Sequence, residues 1–432
     1  MSLVLAWVLF PLVMAGVGWG WGTLAERLAG TRLNDALLIP VGLGAALVLA
    51  GTIVAWPAIA PASVTVIGIG TVAGLALAVR SRRGIGRWPL ILGAATLIIY
   101  GAPVLASGEA TFTGVVKLDD TATWLNIIDN VVSHGRSVAG LPLSTYRLNF
   151  EQANPSYPLG AFILPGVVRG LTGIDMAWVF QPYLSGCAAA VAMALFALIE
   201  PIIASARLRA LIAFVAAQSA LLYAYSQWSG IKELTAAFLL CAGVALAAPM
   251  LARPPRRSRE LLPLAVLSGG LIQTLSIGAG GWMAPALVLI VGAWILGRTR
   301  GSRGAGGAVA PGGSIAASVG ALAAMTAACV IPIWTVLAAF LGKDAALFSE
   351  GQNAHTRIGN LFGPLKVSQL AGIWPIGDFR DVAPFFPTVL FIAVELAAAA
   401  WAIWWGARRR QFGVAFYLVV ALLGCAIFYL GG

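Results

Sequence analysis

Asp119 and Asp120 stand side by side in the segment Lys117–Arg136, directly ahead of a stretch that reads as a helix. Adjacent carboxylates beside a membrane surface suit general-base work on a hydroxyl. One takes the proton as a new bond forms, and its neighbour orients it or shares a divalent cation. The bland alternative is a helix cap, with Asp120 or Thr121 accepting from orphan backbone N–H groups. A second charged pair, Lys232 and Glu233, closes the polar turn that begins at Gln227. Lys232 can hold a lipid phosphate as a point charge with Glu233 positioning it. Against this stands an ordinary snorkelling pair at the interface. A third set comprises His355, Arg357, Lys366, Asp378 and Arg380. Arg357 and Arg380 suit forked contacts to phosphate, and His355 suits the same task or a proton relay. The alternative is a loop of solvated charges, with Trp374 and Phe379 as interfacial anchors rather than sugar platforms.

The elements that must carry these residues are almost entirely apolar. The chain has 432 residues, of which 60% are hydrophobic and only 10% charged. Soluble domains run at about 25% charged. Apolar runs of roughly 18–25 residues recur, each long enough to cross about 30 Å of hydrocarbon as a helix. Helices satisfy their own backbone groups in lipid and open sheets do not, so the expected fold class is all-α, a polytopic membrane protein. The expected spans are Leu3–Gly20, Ala36–Trp56, Ser63–Val79, Trp88–Leu105, Met176–Ile199, Ala210–Tyr225, Glu233–Leu251, Leu261–Ile277, Trp282–Leu296, Ser314–Leu341, Phe385–Gly406 and Phe412–Leu430. The stretch Leu159–Leu171 is apolar but short, and reads as interfacial or re-entrant. The organisation expected is an N-terminal membrane part over 1–105, an outer loop over 106–158, a central membrane part over 159–341, a second outer loop over 342–384 and a C-terminal part over 385–432. Leu3–Gly20 has no basic residues before it and reads as a retained span rather than a leader.

Charge orients this scheme. Most of the 27 Lys and Arg fall into clusters at Arg27/Arg32, Arg80–Arg87, Arg207/Arg209, Arg253–Arg259, Arg298–Arg303 and Arg408–Arg410. All fall on one side of the span pattern, which the positive-inside rule makes cytoplasmic. Asp119, Asp120, Lys232 and the loop with Arg380 are then extracytoplasmic. The net charge of +11 is thus a topology signal, and no nucleic-acid partner is expected. The four cysteines lie inside apolar spans without metal spacing and read as small buried hydrophobes. Gly68, Gly70 and Gly74 lie inside a span and read as helix-packing positions. Glu395 sits mid-span, where a hydrogen bond to another span is the expected role and proton coupling the alternative.

In the first outer loop Trp124, Ile127, Ile128 and Val131 recur at i, i+3, i+4 and i+7, with Asn126, Asp129, Asn130 and Ser133 elsewhere on the wheel. That pattern is an amphipathic helix, expected to lie along the membrane surface and to stop at Gly135. An acidic pair just after a span, followed by such a helix, resembles the GT-C superfamily of membrane glycosyltransferases. The stretch Thr145–Pro165 also resembles the acceptor side of their loops. The resemblance implies an inverting glycosyltransferase that uses a polyprenyl-phosphate sugar, with an envelope glycan, lipid or protein as acceptor and membrane lipids as surroundings. It implies catalytic roles for Asp119 and Asp120 and substrate contacts from Trp124, Tyr157, Lys232, Glu233, His355, Arg357, Asp378 and Arg380. The one cofactor foreseen is a divalent cation at Asp119 and Asp120, if any. The competing functions are a transporter or flippase for a lipid-linked sugar or other lipid, and a non-catalytic partner in envelope assembly.

Overall fold

In hydrocarbon a backbone N–H or C=O has no solvent partner, so apolar runs of this length close their hydrogen bonds within each segment. The computed structural model describes residues 3–108, 119–153, 157–252, 255–304, 314–339, 342, 385–409 and 411–431, and among these there are helices and turns but no strand. The chain is therefore an all-α polytopic membrane protein. Among the described residues eight helices are long and apolar enough to cross a membrane, or nine if one bent pair counts as a single span.

The N-terminal group is α1 (Phe10–Ala29), α2 (Leu38–Val54), α3 (Ala62–Arg80), α4 (Arg87–Tyr100) and α5 (Ala102–Ser107). Glycines let the first three approach backbone to backbone. A methyl group at Gly42 would collide with the Gly18 carbonyl, and one at Gly74 would collide with the Gly20 carbonyl. Gly74 thus packs helices as its span position suggested. The loop group is α6 (Asp119–His134), α7 (Thr145–Ala153) and α8 (Gly160–Thr172). The central group is α9 (Met176–Leu198), α10 (Ala206–Ala216), α11 (Ala220–Gln227), α12 (Ile231–Ala247), α13 (Leu262–Leu275) and α14 (Ala279–Gly304). Beyond these come α15 (Ile315–Val330), α16 (Phe385–Arg409) and α17 (Gly413–Gly431).

The observed elements differ from the expected spans in three places. The helix at Arg87–Tyr100 is shorter than a full crossing. The span expected near Ala210–Tyr225 is broken, α10 and α11 meeting at a 62° bend. The two spans expected between Leu261 and Leu296 form one 40-residue apolar stretch, Ser258–Gly297. It is interrupted at Ser276, whose φ of 54° leaves the helical region.

α9 is the core of the bundle, with 94% of its most apolar window buried, whereas the corresponding figure for α16 is 6%. Glu395, on α16, is exposed, and the buried bond expected for it is not formed among the described residues. α16 packs chiefly on α17, and Glu395 falls on the uncovered surface. α8 behaves as its shortness suggested. Its first residue, Gly160, abuts Gln273 of α13, and Gly170 near its end abuts Val64 at the start of α3. Those neighbours sit near one end of the bundle, so α8 does not traverse it.

α2 defines the two ends. At its start Asn34 caps the chain by accepting from Ala36 N–H, and its side-chain amide donates to Glu200. Arg83 reaches the same place, donating to Glu26 and Asp35. At the other terminus of α2, Gly135 packs on the Val54 carbonyl and Pro57. The loop helix α6 therefore sits about 30 Å from the Arg83 cluster, the length of a twenty-residue helix.

Candidate functional site

The loop helix starts at Asp119, one residue before Asp120 and two before Thr121, the two expected caps. Thr121 therefore lies inside the first turn, and its hydroxyl donates to Ser229 Oγ at 2.8 Å. That bond joins residues 108 positions apart and ties the start of α6 to the turn ahead of α12. Ser229 is buried and holds a φ of 62°, a left-handed conformation that is unfavourable for a residue with a side chain. Its neighbour Gly230 has no room for a side chain against Tyr225. Gln227 secures the other flank of the turn by donating to the Tyr100 carbonyl at 3.2 Å. Gln181 donates to the same carbonyl from α9.

Lys232, in the first turn of α12, is carried by this turn to the face of α6 and the segment after α7. Its ammonium lies 4.4 Å from the centroid of the Tyr157 ring and 5.9 Å from that of Trp124. The two rings stack at 5.6 Å, and Phe162 of α8 closes the cluster at 5.0 Å from Trp124. Aromatic faces attract a cation without cancelling its charge. Arg136 steadies the arrangement from behind by donating to the Tyr157 carbonyl at 2.8 Å, and burial pushes its guanidinium down to about 10. Beneath Arg136 lies a void of about 20 Å³, room for one water. The Gln273 Oε1 and Ser276 Oγ atoms lining it have no hydrogen-bond partner among the described residues.

The starts of α6 and α12 thus meet. Helix N-termini carry partial positive charge and unsatisfied N–H donors. Asp119 and Asp120 fall in the first turn of α6 and Glu233 in the first turn of α12. Glu233 is exposed. Acids at these positions complement the helix dipoles, which is the structural role that competes with catalysis.

The apolar stripe of α6 is as the spacing predicts, with Ile127, Ile128 and Val131 fully buried. It is covered by protein, however, and not laid on a bilayer. α8 packs along it, and Gly166 is so close that a methyl there would collide with Val132. Asn126 and Asn130, expected on the polar side, are buried too. Asn126 donates to the Tyr146 carbonyl at 2.6 Å, so α7 covers that flank. Asp129 is exposed and pairs with Arg169 at 2.6 Å. Burial first, then the Asp129 charge and hydrogen bond, raise the Tyr146 phenol to about 12.

Of the residues singled out in the sequence, the structure gathers Trp124, Tyr157 and Lys232, with Glu233 beside them. The side chains of Asp119 and Asp120 lie outside the described residues, as do His355, Arg357, Lys366, Asp378 and Arg380 altogether. Among the described residues no three His, Cys, Asp or Glu side chains cluster as metal ligands would. The cation foreseen at Asp119 and Asp120 therefore falls on side chains beyond the description. Sequence reasoning missed Thr121 as a tether, Ser229, Phe162 and Arg136. An aromatic five residues after a Pro-flanked tyrosine, or a lone loop arginine, carries no local signal of such a role.

The fold and site define a helical membrane protein with an aromatic-lined site holding Lys232 at the end of the bundle opposite the Arg83 cluster. The chain matches no protein-family model, no curated protein and no solved structure.

Proposed function

We propose that this protein is an inverting membrane glycosyltransferase, moving a sugar from a polyprenyl-phosphate donor to an envelope glycan, lipid or protein acceptor. In this reading the chain crosses a bacterial plasma membrane about twelve times and works on the extracytoplasmic face. The observation that carries it is the Thr121–Ser229 bond. It ties the acidic pair's helix to the turn that presents Lys232 over Tyr157 and Trp124.

The chemistry divides between the two helix starts. Asp119 or Asp120 accepts the proton of the acceptor hydroxyl. The hydroxyl oxygen forms its bond to the anomeric carbon from the face opposite the phosphate. The bond from that carbon to the phosphate oxygen breaks, and the polyprenyl phosphate departs with the electron pair. Lys232 and the N-terminus of α12 lower the cost of the negative charge on the leaving phosphate. The Trp124 and Tyr157 rings offer flat apolar faces to the sugar. His355, Arg357, Asp378 and Arg380 complete the donor's contacts from the second loop.

The test is sugar transfer by purified protein in proteoliposomes supplied with a polyprenyl-phosphate sugar. Asp119→Asn and Asp120→Asn are expected to abolish transfer while leaving thermal stability intact; full activity in both variants rejects the assignment. A second reading, transport of a lipid-linked sugar, is favoured by the 62° break between α10 and α11, because broken spans often flank transporter sites. Translocation of a fluorescent lipid across the liposome bilayer, unaffected by both substitutions, would select transport instead.

A further inference from the structure

At the opposite end of the bundle an open-mouthed cavity of about 530 Å³ lies between the end of α1, the end of α3 and the segment before α13. Five arginines line it, Arg27, Arg32, Arg82, Arg83 and Arg259, with Glu26 as their acidic companion. Glu26 is engaged by Arg83 and by the backbone. Its carboxylate accepts from Arg83 Nε and Nη2 and from the Leu33 N–H at 2.8 Å. Asp35 is committed to Arg83 as well. Among the described residues no ion pair engages Arg27, Arg32, Arg82 or Arg259, so the cavity keeps several positive charges in a confined space.

The insertion rule accounts for arginines at this end of the spans. It does not require five of them, from three separate segments, around one cavity. Two local features fix the arrangement. The Arg259 guanidinium lies against Gly30, leaving no room there for even a methyl group. Arg82 adopts a φ of 51°, unfavourable for a long side chain. The cavity also adjoins apolar surface. Leu28, next to Arg27, is 66% exposed, and Val79, three residues before Arg82, is 76% exposed. A soluble anion gains nothing from such neighbours, whereas a lipid places its headgroup among basic side chains and its acyl chains along the adjoining helices.

We propose that this cavity is a binding site for the phosphate headgroup of an anionic phospholipid. The headgroup's phosphate meets Arg27, Arg82 and Arg259, and its acyl chains lie along α1 and α3 past Leu28 and Val79. The site is independent of the sugar-transfer reading, because it lies at the other end of α2.

The test uses the full chain in nanodiscs of phosphatidylcholine with or without phosphatidylglycerol. Native mass spectrometry counts the lipid retained, and thermal unfolding reads the stabilisation. The native protein is expected to retain phosphatidylglycerol in preference to phosphatidylcholine and to melt higher with it. The pair Arg27→Gln/Arg259→Gln is expected to weaken retention about thirtyfold, since each basic side chain at an anionic surface is worth roughly fivefold. The pair Arg27→Lys/Arg259→Lys, which keeps both charges, should retain clearly more than the Gln pair, separating loss of charge from misfolding. The pair Arg408→Gln/Arg409→Gln, in a basic cluster outside the cavity, should leave retention unchanged. No preference for the anionic lipid in the native protein, or equal loss in the Arg408/Arg409 control, overturns the proposal. So does stabilisation by inorganic phosphate alone, which would mark a site for a soluble anion.

Discussion

The two ends of α2 treat a buried or half-buried cation in opposite ways. At the start of α2, Arg83 is only 6% exposed and gives its guanidinium to Glu26 and Asp35 and to the Leu33 carbonyl. Burial opposes its charge, but the hydrogen bonds and charges of Glu26 and Asp35 outweigh that, and its pKa is raised. At the far end, Lys232 rests on the rings of Tyr157 and Trp124. A cation matched by carboxylates joins α1, the entry to α2 and the α3–α4 turn into one unit. A cation set over stacked aromatic rings gains an attraction to uncharged faces. The first arrangement joins three elements through charge pairs, and the second places a cation against a flat aromatic surface.

Four substitutions would break or sharpen that contrast. Removing the Arg83 charge pairs should have the largest effect. Arg83→Met strands two carboxylates and is expected to cost about 3–5 kcal/mol of stability, read as a lowered unfolding midpoint in detergent. On the proposed function, Lys232→Met should lower sugar transfer roughly 10²–10³-fold, the loss typical of one electrostatic group at a reacting centre, and by more than any fall in that midpoint explains. A large fall in stability with transfer intact would make Lys232 a structural residue. Thr121→Val should cost about 1–3 kcal/mol, because it leaves the buried Ser229 hydroxyl without its donor. If the tether orients the acids, it should also lower the turnover rate more than its stability loss explains. Arg169→Met gives the smallest effect. Its pair with Asp129 is half exposed, at 31% and 50%, and such pairs contribute about 0–1 kcal/mol. A loss as large as that of Arg83→Met would show that exposure does not separate the two kinds of pair.

How much of this was legible beforehand depends on how far each feature reaches along the chain. The stripe Trp124–Ile127–Ile128–Val131 announces α6 because a helical period needs only neighbouring residues. What covers the stripe was not legible. α8 is a thirteen-residue, mostly apolar helix that fits an interfacial or a re-entrant segment equally well, and only its contacts with Ile128 and Val132 show that protein covers it. Asn126 looked solvent-facing by the same wheel, yet α7 buries it with a hydrogen bond. Glu395 erred in the other direction. An acid mid-span suggests a partner, but α16 is so little covered that none is near it among the described residues.

The basic end shows the same division. Charge clustering signalled which arginines share a side, and contacts bring Arg32, Arg83, Arg209, Arg256 and Arg259 to the start of α2. Clustering gave no hint that Arg83 would be buried against Glu26 and Asp35 while Arg82, one residue earlier, makes no ion pair among the described residues.

From the order of residues alone come the membrane setting, the helical class and the sidedness of charge. Hydrocarbon imposes those conditions on each segment separately, whatever the others do. The meeting of Thr121 with Ser229, and of Lys232 with Tyr157 and Trp124, belongs to the folded chain. It depends on how glycine-lined helices pack and where a strained turn points, and no stretch of neighbouring residues carries that information.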